Sequence, residues 1–356
     1  MTVKEIFDKM IEKEASDVFI RVGSRLHGRI FTEVKEMDGN EFTSADVERI
    51  VSEMLKPEEI DILQRNRSYE FACWYSKEWR FRVGVFYQRN TLSLVIRKVN
   101  LRIPTFKELN LPDKVLENFC GQRRGLILLT GTTGSGKSTT IASMIEFINQ
   151  NFYRHILTIE EPIEFTFEDK KSIINQREIG KDVSNYEDAL RQFTVHSPDV
   201  IYIGNIRDYE TCKAALTAAE TGVLVISSLH TVNASSTVER IVNFFPPHQH
   251  ASVMSQLSSL LKGVISLRLI PRVDKEGLIP AYEIIALSPT IARLLRENKL
   301  WEMPKYIVSG DIYGMKSFNQ CLFELVKEKK ISPMLALDNS DKKEELELNL
   351  RNNGLL

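Results

Sequence analysis

Residues 125–140 of this 356-residue chain have the sequence GLILLTGTTGSGKSTT. The stretch satisfies the pattern G-x-x-x-x-G-K-[ST] with Gly131, Gly136, Lys137 and Ser138. The apolar run 126–129 predicts a buried strand before the pattern, and the apolar periodicity of 139–148 predicts a helix after it. Strand, glycine-rich loop and helix in this order favour a phosphate-binding loop over an ordinary surface turn.

The chemistry of a nucleotide explains the residue types in this loop. Glycines let successive backbone N–H groups turn toward phosphate oxygens, and the following helix directs its positive end at the same anion. We expect Lys137 to reach the β- and γ-phosphates and the Ser138 hydroxyl to ligate Mg²⁺. The predicted cofactors are therefore ATP and Mg²⁺, held by Thr132, Thr133, Gly134, Ser135, Gly136, Lys137, Ser138 and Thr139.

Composition limits the class of protein. The chain is 43% hydrophobic and 27% charged, which is ordinary for a globular protein, and its length predicts two domains. The net charge of −1 gives no global sign of nucleic-acid binding. No apolar run approaches the length of a membrane-spanning helix. The four cysteines are scattered without metal or redox spacing, which predicts reduced core residues and a cytoplasmic protein.

Pattern changes along the chain predict its domain organisation. Residues 1–98 are predicted to form a small α+β domain, because helical stretches alternate with strand patterns there. Residues 99–112 contain two prolines and little periodicity, which favours an interdomain linker. The nucleotide-binding domain is predicted over 113–356, with a mostly helical C-terminal extension from about 285.

Three arginines lie on predicted strands of the first domain, which are assigned to 68–74, 78–87 and 92–98. Alternation places Arg80 and Arg82 on one face, and Arg97 lies on the next strand. A solvated sheet face is the favoured interpretation. The functional alternative is that these arginines contact a phosphate bound elsewhere.

Polar residues follow the predicted strands of the nucleotide-binding domain. Strand 155–159 is followed by Glu160-Glu161-Pro162-Ile163-Glu164, strand 200–203 by Gly204-Asn205, and strand 223–228 by Leu229-His230. Ligands bind at the carboxyl ends of parallel strands, so we expect these groups to face the phosphates. His230 is interpreted as a γ-phosphate sensor. His248 and His250 lie in a proline-containing loop and are weak evidence for a metal site.

The chain resembles the type IV pilus retraction ATPases, the PilT and PilU group of the secretion ATPase superfamily. The resemblance covers nearly the whole chain, and its motifs are GLILLTGTTGSGKSTT (125–140), HILTIEEPIEF (155–165), SPDVIYIGNIRD (197–208), ALTAAETG (215–222), SSLHT (227–231), FPPHQ (245–249) and GMKSFNQCLFEL (314–325).

The resemblance implies a ring-shaped homohexamer. Each subunit would have a PAS-like N-terminal domain and a RecA-like P-loop NTPase domain. Nucleotide would lie between these domains, near the neighbouring subunit. Hydrolysis would move the domains and drive pilin removal through an inner-membrane platform protein, which implies a protein peripheral to the inner membrane. By position, Glu164 matches the family's catalytic acid and His230 a residue of its His box. Arg80, Arg82 and Arg97 fall where the family supplies arginines to the nucleotide.

The chain departs from this family at residues that serve hydrolysis. The family's Walker-B strand ends in Gly-Glu, whereas this strand ends in Gly204-Asn205, and an amide cannot accept a proton from water. Valines stand where the family has a histidine and an arginine, at Val223 and Val195. His196 and Ser197 replace acidic residues. The phosphate-binding loop is intact while the groups that promote hydrolysis are fewer.

Three functions follow as hypotheses. The first is a working ATPase motor of pilus retraction and twitching motility, in which Glu164 acts as the base and Lys137 and His230 assist. The second is a hydrolysis-impaired, nucleotide-binding accessory subunit that acts with an active paralogue, which Asn205 favours. The third, a DNA motor, is disfavoured because no basic channel or aromatic platform appears, and no nucleic acid is expected as a partner.

Overall fold

The computed structural model describes residues 1–30, 33–76, 79–99 and 102–356. The chain divides into two compact units, Met1–Arg102 and Ile103–Leu356. Glu78, predicted to begin a strand, and residues 100 and 101 of the predicted linker lie outside the described ranges. Within those ranges, none of the helices has both the length and the apolar character needed to span a bilayer.

The first unit is an α+β domain. Its elements are α1 (Val3–Glu12), β1 (Asp17–Arg21), β2 (Leu26–Ile30), β3 (Glu33–Asp38), α2 (Ser44–Met54), α3 (Pro57–Asn66), β4 (Ser68–Trp74), β5 (Arg80–Gln88) and β6 (Thr91–Val99). The N-cap of α2 is Thr43, because the Thr43 hydroxyl accepts a hydrogen bond from Asp46 N. Asp46 bonds back to the Thr43 backbone, which completes a capping box.

The sheet of the first unit has the strand order β3-β2-β1-β6-β5-β4, and each neighbouring pair is antiparallel. Its inner face is apolar: Phe81, Val83 and Val85 of β5 are buried together with Ile6 and Met10 of α1. Strands β2 and β3 were not expected from the sequence. Strand β3 is mostly exposed, so it lacks the apolar alternation that would reveal it.

The second unit is an α/β domain with C-terminal helices. Its elements are α4 (Asp113–Gly121), β7 (Gly125–Thr130), α5 (Lys137–Asn151), β8 (His155–Glu160), β9 (Ile173–Glu178), α6 (Tyr186–Arg191), α7 (Phe193–His196), β10 (Val200–Ile203), α8 (Tyr209–Glu220), β11 (Leu224–Leu229), α9 (Ala234–Asn243), α10 (His250–Leu260), β12 (Leu261–Pro271), β13 (Leu278–Ala286), α11 (Pro289–Arg296), α12 (Met303–Val308), α13 (Phe318–Lys327), α14 (Pro333–Asp338) and α15 (Lys343–Asn352).

The sheet of the second unit has the order β13-β12-β7-β11-β10-β8-β9. Each neighbouring pair is parallel except β12 with β13. Strands β7, β10 and β11 are buried along their whole length, as expected for central strands covered on both faces. The predicted fold class, an α+β domain followed by a P-loop α/β domain and C-terminal helices, is confirmed.

The segment 103–112 is not an isolated linker but part of the second unit. Phe106 and Leu111 are buried in the core of that unit, and Ser143 Oγ donates a hydrogen bond to Pro104 O at 2.7 Å. The structure differs from the predicted linker because two prolines and a turn remove the sequence periodicity by which buried residues are recognised.

The C-terminal extension has a core of its own. Residues of α13, α14 and α15 pack on the β12–β13 hairpin, where Ile270, Ile279 and Ala281 join their cluster. Leu346 and Leu350 of α15 are fully buried, although the charged sequence of this helix favoured a solvated element. The two leucines are four residues apart and therefore lie on one face.

We predict that Phe106→Ala lowers the free energy of unfolding by about 3–5 kcal/mol, the usual effect of removing a buried phenylalanine. Urea unfolding of the full chain measures this value. Tyr153→Ala is the matched control, because Tyr153 is 83% exposed, and its effect should stay within about 0.5 kcal/mol. Equal effects of the two changes would show that 103–112 does not contribute to the core.

Candidate nucleotide-binding site

The parallel register brings the sequence-predicted site residues to one edge of the sheet. Leu229 of β11 lies opposite Thr130 of β7, and Ile203 of β10 lies opposite Ile159 of β8. Strand β10 also pairs with β11, so these four strands end at the same edge. The phosphate-binding loop, His230, Asn205 and the acidic segment after β8 therefore emerge side by side.

The glycines of the phosphate-binding loop adopt conformations that other residues rarely adopt. Gly131 has φ 143° and Gly136 has φ 93°. A Cβ atom on Gly131 would also lie 2.5 Å from Leu267 O, so the loop passes too close to β12 for a side chain. These two glycines therefore fix the path of the loop.

Lys137 lies inside the curve of the loop. Its Nζ donates to Gly131 O and Thr132 O at 2.8 Å each, and the side chain is buried. Burial lowers the pKa of Lys137, and the charge of Glu164 acts in the opposite direction. The charge of Glu164 therefore acts on the ammonium group, and the roles of the two residues toward a phosphate stay predictions.

The loop fits the phosphate groups of a nucleotide. Thr132, Thr133 and Gly134 are exposed at its tip, and Ser138 is partly exposed in the first turn of α5. Among the residues that the structure describes, Ser135 Oγ is a buried polar atom without a hydrogen-bond partner. Unpaired donors and a helix N-terminus suit an anionic ligand, and the Ser138 hydroxyl suits a hard cation such as Mg²⁺.

The three carboxylates at the end of β8 and directly after it have different surroundings. Glu160 is buried, and its Oε1 accepts bonds from Thr158 Oγ1 at 2.7 Å and Gln176 Nε2 at 3.2 Å. Burial raises the pKa of Glu160 to about 7. Glu161 is exposed and pairs with Arg207 at 3.1 Å. Glu164 is partly exposed, so it alone of the three combines access to solvent with an effect on Lys137.

Strand β9 fixes the segment that carries Glu164. Gln176 Nε2 donates to Phe165 O at 2.8 Å, and Gln176 Oε1 accepts from Phe167 N at 3.0 Å. Glu178 Oε2 accepts from Ile163 N at 3.3 Å. Gln176 and Glu178 are not predictable as site residues because IINQRE (173–178) shows no strand pattern.

Asn205 occupies the carboxyl end of β10. The side chain is buried, and within the described ranges its Oδ1 has no hydrogen-bond partner. Ser228 Oγ donates to Gly204 O at 2.7 Å, and Ile206 N donates to Ser228 O at 2.9 Å. These two hydrogen bonds hold the backbone on both sides of Asn205. The fixed amide places a neutral group where a carboxylate would add negative charge.

His230 follows β11 at the same edge and is exposed. Its pKa is lowered because the ring loses part of its contact with water and because the charges of Lys137 and Arg207 act on it. Each of these effects favours the neutral form of the imidazole, and the charge of Lys137 acts on it. The role of His230 as a γ-phosphate sensor stays a prediction.

The three arginines lie in the first unit. Phe81, Val83 and Val85 face the core, so Arg80 and Arg82 share the opposite face, as alternation predicts. Arg82 lies opposite Arg97 in the sheet and pairs with Glu70, while Arg97 Nε donates to Asp17 Oδ1 at 2.7 Å. Arg80 is buried, with its guanidinium 5.6 Å from the Trp74 ring. Their role toward a phosphate stays a prediction.

The histidines of the loop after α9 form no metal site in the described structure. His250 Nε2 donates to Phe245 O at 2.8 Å and so stabilises the local turn. The described ranges contain no group of three or more His, Cys, Asp or Glu residues that could hold a metal ion.

Glu160 makes the stability of the nucleotide-free protein depend on pH. Its pKa is raised in the folded state from 4.5 to about 7, so the folded protein binds more protons than the unfolded chain between these values. The stabilisation is complete below the unfolded pKa and is lost as the pH rises through the folded pKa. Glu160→Gln should therefore be more stable than the unaltered chain at pH 8, by about 3 kcal/mol from the difference of 2.5 units.

Urea unfolding at pH 5 and pH 8 measures this effect. Glu161→Gln is the matched control because Glu161 is exposed, and it should change stability little at either pH. Equal stabilities of Glu160→Gln and the unaltered chain at pH 8 would contradict a buried, destabilised carboxylate.

Comparisons with known proteins agree with this geometry. The model of the family "Type II/IV secretion system protein" matches residues 1–298. The type IV pilus ATPase PilU of Pseudomonas aeruginosa is 34% identical over 99% of this chain and 92% of its own length. The retraction ATPase PilT of the same organism is 36% identical over 93% of this chain and 96% of its own length.

A solved structure shows the same likeness in three dimensions. The crystal structure of the pilus retraction motor PilT with bound ADP superposes with a TM-score of 0.90 at 42% identity, covering 98% of this chain and 99% of that chain. The Legionella pneumophila ATPase DotB, at 23% identity and a TM-score of 0.80, covers 93% of each chain and shows the same fold. The chain therefore belongs to the type II/IV secretion system protein family, within its group of type IV pilus retraction ATPases.

Proposed function

We propose that this protein is an ATP-driven motor of type IV pilus retraction. The observation that carries the proposal is the arrangement at one sheet edge of the phosphate-binding loop with Lys137, Glu164 and His230. Family membership supports the biological role, and the ADP bound to the similar PilT protein supports the choice of an adenine nucleotide.

Each residue has a distinct task in the proposed reaction. The loop N–H groups and Lys137 bind the phosphates and stabilise negative charge that develops on the equatorial oxygens. Glu164 orients the attacking water and accepts its proton. His230 contacts the γ-phosphate and reports its presence. The Ser138 hydroxyl would hold Mg²⁺, which when bound would supply positive charge that offsets the charge of the phosphates.

A second function is favoured by Asn205. The buried amide cannot act as a base and does not supply the negative charge of the family's glutamate. The site therefore has one carboxylate fewer to promote hydrolysis. The protein would then be a nucleotide-binding accessory subunit that acts with an active paralogous pilus ATPase. General acid–base help contributes typically about 10²–10⁴-fold in rate, which is the size of the loss that this alternative requires.

Assembly and location complete the proposal. The subunits form a homohexamer, in which Arg80, Arg82 and Arg97 of one subunit approach the nucleotide of a neighbour. The carboxylate partners of Arg82 and Arg97, which are Glu70 and Asp17, would exchange with phosphate oxygens. The ring acts in the cytoplasm, at the inner membrane, on a platform protein of the pilus. Residues 1–98 serve as a PAS-like domain whose motion relative to the second unit is coupled to hydrolysis.

Asn205→Glu distinguishes the motor from the accessory subunit. Steady-state ATP hydrolysis is measured for both proteins, with Asn151→Glu at the exposed end of α5 as control. A motor that relies on Glu164 should hydrolyse ATP without the substitution. Asn205→Glu should then raise the rate less than about tenfold, which is below the typical contribution of general acid–base catalysis. If the unaltered protein hydrolyses ATP very slowly and Asn205→Glu raises the rate about 10²–10⁴-fold, the accessory function is established.

Lys137→Ala tests the phosphate-binding loop itself. Removal of the ammonium eliminates a charge-assisted contact, and ATP affinity should fall at least about tenfold. Equilibrium titration with a fluorescent ATP analogue measures this change. Lys170→Ala removes an exposed lysine that pairs with Glu146 and should leave the affinity unaltered. Full affinity in Lys137→Ala would contradict the assignment of the loop.

A further inference from the structure

The β12–β13 hairpin belongs to both hydrophobic cores of the second unit. Val264 and Leu267 of β12 pack in the core of the α/β domain. Ile270 of β12 and Ile279 of β13 pack in the core of the C-terminal helices. A displacement of the end of the hairpin would therefore change the packing of both cores, because closely packed interiors do not deform freely.

The end of β12 also lies against the phosphate-binding loop. Leu267 O would be 2.5 Å from a Cβ atom on Gly131, and the Leu269 side chain would be 3.9 Å from one on Gly136. Arg268 lies between these two residues, and alternation directs its side chain to the other face of the strand. Leu267 and Leu269 of the strand therefore lie against the phosphate-binding loop, whereas Arg268 faces other segments of the chain.

The Arg268 guanidinium joins two segments that are distant in sequence. Nη2 donates to Val232 O at 3.3 Å, in the loop that carries His230. Nη1 donates to Asn339 O at 2.5 Å and Nη2 to Asp341 Oδ1 at 2.6 Å, both between α14 and α15. The group also lies 3.9 Å from the centre of the Phe318 ring. A planar fork with several donors suits such a junction, whereas lysine does not provide it.

Glu283 holds the other end of the His230 loop. It is buried on β13, and its Oε1 accepts from Ala234 N, the first residue of α9, at 2.9 Å. The carboxylate is also close enough to Arg268 and Asp341 for their charges to act on it. The loop between His230 and α9 is therefore tied to the hairpin at two points.

We propose that Arg268 is a positioning residue that couples the His230 loop to helices α14 and α15, so that nucleotide at the phosphate-binding loop stabilises the C-terminal helices. The inference rests on the proposed function, because it requires ATP to bind beside His230. Movement of Val232 with the His230 loop changes the bonds of the same guanidinium to Asn339 and Asp341. The C-terminal helices thereby respond to a ligand that they do not contact.

Hydrogen exchange of the full chain tests this coupling, with and without a non-hydrolysable ATP analogue and Mg²⁺. In the unaltered protein, the analogue should slow amide exchange in residues 335–345 at least about fivefold, the lower end of typical coupling between sites. Arg268→Met should abolish this difference. Arg272→Met is the matched control, because Arg272 also lies at the end of the hairpin but pairs with Asp274 at 2.5 Å, and it should retain the difference.

A second variant keeps the test valid if Arg268→Met does not fold. Asp341→Asn changes a partly exposed side chain and should reduce the same nucleotide-dependent difference. Retention of the full difference in both Arg268→Met and Asp341→Asn, or its loss in Arg272→Met, would overturn the inference. Analogue binding is measured on the same samples. No binding to the unaltered chain would contradict the proposed function, whereas binding without slower exchange would contradict the coupling alone.

Discussion

The parallel register of β7, β11, β10 and β8 is the constraint on which the site depends. Hydrogen bonds between these strands align their carboxyl ends, so groups far apart in sequence emerge at one edge. The loop geometry then follows from Gly131, which passes too close to Leu267 O for any side chain. Lys137 and His230 follow their strands closely, whereas the segment that carries Glu164 is also held by hydrogen bonds to Gln176 and Glu178. A shift in register would separate them and leave a glycine-rich loop without partners.

Much of this arrangement could be predicted from the sequence, because buried parallel strands are continuous apolar runs and functional residues follow them directly. Leu126–Leu129 before the glycine-rich loop is the clearest case. The features that escaped prediction lack such a signal. Strand β9 supplies Gln176 and Glu178 from a mostly polar stretch, and Phe106 reaches the core from a segment interrupted by prolines. Their positions are set by tertiary contacts rather than by local pattern.

Electrostatic differences among the carboxylates were also beyond the sequence. Glu160, Glu161 and Glu164 are close in the chain, yet one is buried among hydrogen-bond donors, one forms an exposed ion pair, and one influences Lys137. Only the three-dimensional environment separates these roles. Asn205 was recognisable as a departure from the family, and the structure adds that its buried oxygen has no partner within the described residues. Glu164 is therefore the carboxylate that we propose activates water.

Single-turnover cleavage of ATP, with protein in excess over nucleotide, tests this claim most directly. We predict that Glu164→Gln binds ATP normally but cleaves it about 10²–10⁴-fold more slowly than the unaltered chain, the typical contribution of a general base. Glu161→Gln should cleave at nearly the original rate. If Glu164→Gln cleaved bound ATP as fast as the unaltered protein, Glu164 would not be the base, and the assignment of roles at this sheet edge would be wrong.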